Sequence, residues 1–295
     1  MIGIIPNIDK PDILNILSKI VEDLRNNNLA YFISDSILKF RNDFNPLLAE
    51  SKLLPQEELI KSSGIVISIG GDGTMLSTAY AVRNNATPIL GVNIGKLGFL
   101  AEFDIDSFSE FIPEIKTKNY VIEERMALIG SIEEASSFDL YAINDIVIDK
   151  GPWQKMIELT IKVDDDYVST FSADGIIIAT PTGSTGYSLS TGGPIVNPRA
   201  DVITLSPIAP HTLTMRPLVI SSKQKITVIV KSPHQKIQVS CDGQRVHSYN
   251  SPSNINILKS AQGFRLVHSR KTDYFKILRN KLYWGLDVRK SNNSL

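Results

Sequence analysis

Residues 70–74 read Gly-Gly-Asp-Gly-Thr and follow directly on the apolar run Ile-Val-Ile-Ser-Ile at 65–69. Glycines at a strand end let the backbone turn sharply, and the amides that open the next helix face any approaching anion. Asp72 stands against this on simple electrostatics, because a bare carboxylate repels phosphate. It becomes useful if it engages a divalent cation or takes a proton from an attacking hydroxyl, and that combination points to phosphoryl transfer. A Gly-Asp turn without chemistry has the same composition. No G-x-x-x-x-G-K-[ST] string occurs, so phosphates would be held by this turn and a metal rather than by a P-loop.

A second constellation lies at 174–194, DGIIIATPTGSTGYSLSTGGP, where an apolar strand runs into glycines and hydroxyls. Gly183, Gly186, Gly192 and Gly193 allow a close backbone approach, while Thr182, Ser184, Thr185, Tyr187, Ser188 and Ser190 offer hydrogen bonds. Tyr187 adds a flat face for a base. The bland alternative is a solvated connector. Asn144 and Asp145, inside the apolar stretch AINDIVI, read from the residues alone as a bulge or strand-end turn as readily as a site.

The elements that must position these groups have two textures. Up to about residue 118, apolar runs alternate with helical periods, the βαβ pattern of a parallel sheet. Strands are expected at 2–5, 29–33, 65–69 and 88–92, and helices over 13–24 and 75–82. Gly91, Gly95 and Gly98 in GVNIGKLGFL space out a loop at the sheet's carboxyl edge, where open α/β folds bind ligands. From 119 to 266 short β-branched runs separated by turns predict a sandwich-like all-β domain, with a hairpin over 157–171. Residues 267–295 recover helical spacing through Phe275, Leu278 and Leu282 and are expected to return to the first domain, ending in a frayed tail.

Composition bounds the partners. The chain of 295 residues is long enough for two domains, and 42% hydrophobic content supplies a core for each. Lysine plus arginine and aspartate plus glutamate number 31 each, so no global field draws the protein to nucleic acid or an anionic membrane. The single cysteine, Cys241, fits a reducing compartment as an inert thiol, and no zinc-type ligand spacing occurs. No stretch approaches a membrane span, and MIGIIPNIDK lacks the features of a signal peptide, so a cytoplasmic location is expected.

GGDGT, GVNIGKLGFL, AINDIVI, DGIIIATPTGSTGYSLSTGGPI, SPIAPHTLTMRPLVI and the terminal FKILRNKLYWG together resemble the NAD kinase family along nearly the whole chain. The resemblance implies a first domain of the phosphofructokinase and diacylglycerol-kinase type. It also implies transfer of the terminal phosphate of ATP, with a divalent metal such as Mg²⁺, to the 2′-hydroxyl of the adenosine ribose of NAD. By position, Asp72 would accept the proton and Gly71, Gly73 and Thr74 would line the phosphates. Asn144 and Asp145 would take the ribose, Asp145 standing where many members have glutamate. Asp174, Thr182 and the stretch Thr185, Gly186, Tyr187, Ser188, Leu189 and Ser190 match dinucleotide-contacting positions, as do Lys155 and Gln244. Ser172 falls where some relatives carry arginine, a contact its side chain cannot make. Dimers or tetramers, with pockets completed by a neighbour, are also implied.

The residues themselves agree with that assignment without proving the substrate: Asp72 suits the base and Asp145 the sugar. A lipid kinase shares the GGDGT turn, but its acceptor would call for an apolar channel instead of the hydroxyl-rich 174–194 loop. A dinucleotide sensor would have no need of Asp72. His211 and Arg216 read as an edge turn, Asp242-Gly243 as a hairpin turn aiming Gln244, His234, His247 and His268 as surface or strand residues, Lys96 as an exposed loop lysine, and Trp153 and Trp284 as packing anchors.

Overall fold

The computed structural model describes residues 1–95, 98–133 and 140–284. Contacts divide the chain into one unit of Met1–Glu123 with the stretch from Arg265 onward, and another of Glu124–Phe264. Lys96 and the tail beyond residue 284 lie outside the described residues.

The first unit alternates strands and helices: β1 (Ile2–Pro6), α1 (Ile13–Asn26), β2 (Tyr31–Ser34), α2 (Pro46–Ala49), β3 (Leu53–Leu54), α3 (Gln56–Ser62), β4 (Ile65–Gly70), α4 (Asp72–Val82), β5 (Ile89–Asn93), α5 (Ile105–Thr117) and β6 (Val121–Arg125). On α1, Ile13, Leu17, Ile20, Val21 and Leu24 recur on one face and are all buried. Each contributes roughly 1.5–3 kcal/mol by leaving water. β1 and β4 have no exposed position, which is why they read as continuous apolar runs rather than alternating ones.

The second unit holds β7 (Leu128–Ile132), β8 (Leu140–Ala142), β9 (Asp145–Asp149), β10 (Ile157–Val163), β11 (Asp166–Ala173), β12 (Gly175–Ala179), α6 (Tyr187–Ser190), β13 (Val202–Ile208), β14 (Leu218–Ser221), β15 (Ile226–Lys231), β16 (Lys236–Cys241), β17 (Arg245–Asn250) and β18 (Ser253–Lys259). β19 (Phe264–His268) and α7 (Tyr274–Leu282) follow. Two six-stranded sheets, β11-β10-β15-β18-β7-β8 and β14-β13-β12-β9-β16-β17, share one core. Alternation on β10, with Ile157, Leu159, Ile161 and Val163 inward, marks a sheet with one dry face. The hairpin over 157–171 forms as β10 and β11, antiparallel with a register shift after Ile161.

The first unit's sheet has the order β3-β2-β1-β4-β5-β19-β6. The pairs from β3 through β19 are parallel. The chain runs outward from β1 through β2 to β3, then starts again at β4 on β1's other side. This reversal makes a crevice at the carboxyl ends of β1 and β4, the position where open parallel sheets bind ligands. The GGDGT turn leaves β4 there.

Two expectations change. The helix after β4 begins at Asp72, three residues earlier than its apolar periodicity indicated, because Asp72, Gly73 and Thr74 are already helical. Trp284 is 56% exposed: it follows the left-handed Tyr283 that ends α7, a helix that buries only Leu278. His268 is the last residue of β19, a strand residue as expected, with Nδ1 2.5 Å from Glu102 and Nε2 3.1 Å from Glu123. Trp153 does pack, stacking on His234 with ring centroids 5.8 Å apart. Among the described residues no helix is long and apolar enough to cross a membrane.

Candidate functional site

In the first unit, β4 delivers Gly71 as the N-cap of α4, in extended conformation and with no side-chain cap on the helix. Asp72 is the first helical residue. Its carboxylate turns to residues 98–101: Oδ2 accepts the Phe99 amide at 2.8 Å, and Oδ1 accepts those of Leu100 at 3.1 Å and Ala101 at 3.3 Å. The loop approaches so closely because Gly98 has no side chain; a methyl there would stand 1.8 Å from Oδ1. The loop is backed by α7, where Lys281 Nζ lies 5.8 Å from the centre of the Phe99 ring. Thr74 is fixed by Asn7, at the end of β1, which donates from Nδ2 to Thr74 Oγ1 at 2.9 Å. The crevice between β1 and β4 is thus lined by Asn7, Gly71, Asp72, Gly73 and Thr74.

Sequence reasoning passed over Asn93. It ends β5 opposite Gly70, is 4% exposed, and its Nδ2 has no hydrogen-bond partner. Its Oδ1 is 3.9 Å from the position a Gly71 side chain would take. A buried donor without a partner costs about 1–3 kcal/mol, so its retention points to a ligand. The available signal was a polar residue closing the apolar run 89–92.

In the second unit, β9 and β12 pair so that Asp145 lies opposite Ala179, and the chain beyond Ala179 folds back over Asn144. Thr180 donates its amide to Asn144 O at 2.8 Å and its hydroxyl to Ile143 O at 2.6 Å. Gly183 is required there, since a methyl would come within 2.1 Å of Asn144 O. A short 3₁₀ turn (Thr182–Thr185) leads into α6. Its buried hydroxyls shape the loop: Ser184 Oγ donates to Pro181 O at 2.6 Å, and Ser188 Oγ pairs with Ser206 Oγ at 2.9 Å. Arg125 reaches Thr182 Oγ1 at 3.4 Å. Leu189 is half-buried, while Tyr187 and Ser190 are exposed.

Asn144 and Asp145 both face Gly186: Asn144 Nδ2 is 3.7 Å and Asp145 Oδ2 3.9 Å from where its Cβ would be. Asn144 Oδ1 is buried without a hydrogen-bond partner. Burial, and then the negative charge of Asp242, pushes the Asp145 carboxyl up to about 7. Gln244 lies in the β16–β17 turn, next to Asp242, whose amide donates to Asp145 O at 3.0 Å. The structure therefore brings Asn144, Asp145, residues 182–190 and the Gln244 turn together.

It does not bring Asp174 or Lys155 to them. β12 separates Asp174 from Ala179, about 16 Å of strand. Asp174 pairs instead with Lys150 Nζ at 2.7 Å, and Lys150 also donates to Gln154 O beside the exposed Lys155. Ser172 shares this far end, facing Glu158 on β10.

Comparison with known proteins matches residues 2–120 to the ATP-NAD kinase N-terminal domain and 143–269 to the ATP-NAD kinase C-terminal domain. The NAD kinase of Chlorobium phaeobacteroides is 39% identical over 96% of this chain and 96% of its own length. That of Geotalea daltonii is 37% identical over 96% and 98%. Among solved structures, an NAD kinase from Archaeoglobus fulgidus in complex with ATP is 28% identical, with TM-score 0.75 over 96% of this chain and 99% of that one. Yeast NADH kinase complexed with NADH, 24% identical, shares the fold at TM-score 0.87 over 96% and 87%. A glycine-aspartate turn at the sheet's switch point and an Asn-Asp pair under a glycine-hydroxyl loop fall inside the two matched regions, and the chain belongs to the NAD kinase family.

Proposed function

We propose that the chain transfers the terminal phosphate of ATP to the 2′-hydroxyl of the adenosine ribose of NAD, giving NADP and ADP. The observation that carries this is the anchored Asp72 carboxylate at the first turn of α4. A carboxylate has about four acceptor sites. Three are filled by the amides of Phe99, Leu100 and Ala101, and the one left on Oδ2 is held in a fixed direction to take the hydroxyl proton. The first amides of α4, with Gly71, Gly73 and Thr74, cradle the phosphates, and the Asn93 amide adds a donor beside them.

Asn144 and Asp145 hold the ribose through the Asn144 carboxamide and the Asp145 carboxylate. Thr182, Thr185, Gly186, Tyr187, Ser188, Leu189, Ser190 and Gln244 frame the dinucleotide, Tyr187 with its exposed ring and the buried serines by fixing the backbone. Asp174 and Lys155, at the far end of β12, serve the pocket of a neighbouring copy in a homodimer or homotetramer.

The residues present fit a divalent cation such as Mg²⁺, an ion that takes one or two carboxylates and otherwise water and substrate phosphates. Asp72 would lie beside such an ion, which water and the ATP phosphates would hold, since the one acceptor site left on the carboxylate serves the hydroxyl proton. Bound there, a divalent cation would supply neutralisation of charge on the transferring phosphoryl group.

Incubation of the purified protein with ATP, Mg²⁺ and NAD, with NADP followed by an NADP-specific dehydrogenase, tests the reading. NADP formed by the wild type and lost in Asp72→Asn supports the reaction and the base. Undiminished product from a folded Asp72→Asn protein removes Asp72 from that role.

A further inference from the structure

The geometry points to Asp242 and Arg245 as the pair that positions Asn144 and Asp145 for the sugar, an inference that rests on the reading of those two residues as the ribose-binding pair.

The chain changes sheets between Ala142, the last residue of β8, and Asp145, the first of β9. At such a crossing, consecutive amides lose their ladder partners, and buried amides need others. Asp242 supplies them. Its Oδ1 accepts the amides of Ile143 at 2.9 Å, Asn144 at 2.7 Å and Asp145 at 3.3 Å. Its own amide returns a bond to Asp145 O at 3.0 Å, so the crossing is clamped from both sides. Oδ2 accepts from Arg245 Nη2 at 2.7 Å, and the same nitrogen donates to Tyr141 O at 3.0 Å. The three consecutive amides that lead into the Asn144 and Asp145 side chains are therefore tied to one carboxylate oxygen, while Thr180 holds the carbonyls of Ile143 and Asn144.

A turn residue alone would not be built this way. Asp242 and Gly243 have φ 56° and 66°, a conformation asparagine or glycine adopts as readily. Asparagine would keep an acceptor for the amides but set an NH₂ group against the Arg245 guanidinium, and glycine would leave three amides unpaired. The Asp242 side chain is also fully buried. Placing a second acid next to the buried Asp145 carries an electrostatic penalty, which makes sense when the geometry of the Asn-Asp pair is what the second acid secures.

Asp242→Asn, Arg245→Lys and Asn144→Ala in the full chain test this, with KM for NAD, KM for ATP, kcat and the unfolding midpoint measured for each. A positioning pair gives Asp242→Asn a KM for NAD raised about tenfold or more, with KM for ATP within about twofold of wild type, and Asn144→Ala the same pattern. Arg245→Lys, which keeps the charge and loses the fork, gives a smaller rise of about threefold in the same constant. A damaged fold would shift both Michaelis constants together. If Asn144→Ala raises KM for NAD and Asp242→Asn does not, the positioning role is overturned and the ribose reading stands. If Asn144→Ala leaves KM for NAD unchanged, the ribose reading itself has failed. Should Asp242→Asn not fold, Arg245→Lys decides: an unchanged KM for NAD in that folded variant overturns the proposal.

Discussion

Gly98 packs against the carboxylate of Asp72 so tightly that a methyl on it would stand 1.8 Å from Oδ1. The loop that holds Asp72 and the residue it holds are thus one device. Gly98→Ala must push the carboxylate away from the amides of residues 99–101 or push the loop off the helix. We expect Gly98→Ala to fold and to lose turnover by about 10²–10⁴-fold, as Asp72→Asn should. Steady-state kinetics with NAD and ATP checks this, and near-wild-type kcat in Gly98→Ala would show that the anchoring is dispensable.

Much of the first device was legible locally. The glycines at 70, 71 and 73 and the apolar run before them are contiguous, so a strand–turn–helix with a carboxylate at its bend could be read from twelve residues. Its partner was not, because the 99–101 amides lie 27 to 29 residues further on and backbone amides carry no sequence signature. Asp242 shows the same limit. Locally Asp-Gly is a turn, and the turn is there; its burial against residues 143–145 joins segments nearly a hundred residues apart. Asn93 escaped because a polar residue ending an apolar run is ordinary until its donor proves partnerless.

Asn93 gives a prediction in which stability and activity separate. Removing a buried donor that has no partner relieves a penalty, so Asn93→Ala should unfold at the wild-type temperature or above it. If the donor serves the phosphates, kcat/KM for ATP falls about tenfold or more in the same variant. Calorimetry beside kinetics decides; unchanged kinetics would leave Asn93 without a role in donor binding.

Asp145 links stability to pH. Its carboxyl titrates near 3.8 in the unfolded chain and at about 7 when buried in the fold. Between about pH 4 and pH 7 the native protein holds a proton the unfolded chain has released, so this group's contribution falls as pH rises across that window. Asp145→Asn removes the titration. It should therefore unfold at a higher temperature than wild type at pH 8, by up to roughly 4 kcal/mol in stability, with the gap narrowing toward pH 4. Thermal melts without nucleotide at the two pH values test the sign.

Chelation tests the metal. Excess EDTA should abolish NADP formation, and added Mg²⁺ should restore it. Full turnover in excess chelator would remove the cation from the proposed mechanism.

β19 enters the first unit's sheet beside β5 although about 170 residues separate them in the chain. On a ribosome adding ~5–20 residues per second, β5 waits roughly 10–35 s for β19, and in that interval only the Gly91–Asn93 end of its β19-facing edge is paired, by Phe103. Its five residues, Ile89–Asn93, are all buried in the finished sheet. Nascent chains stalled in that interval leave the Ile89 end of that apolar edge without the pairing Leu266 gives it, and open strand edges recruit other chains. Truncation anywhere before Phe264 leaves the Ile89 end of that edge permanently open, so expression of residues 1–123 alone is a poor route to a soluble phosphate-binding fragment.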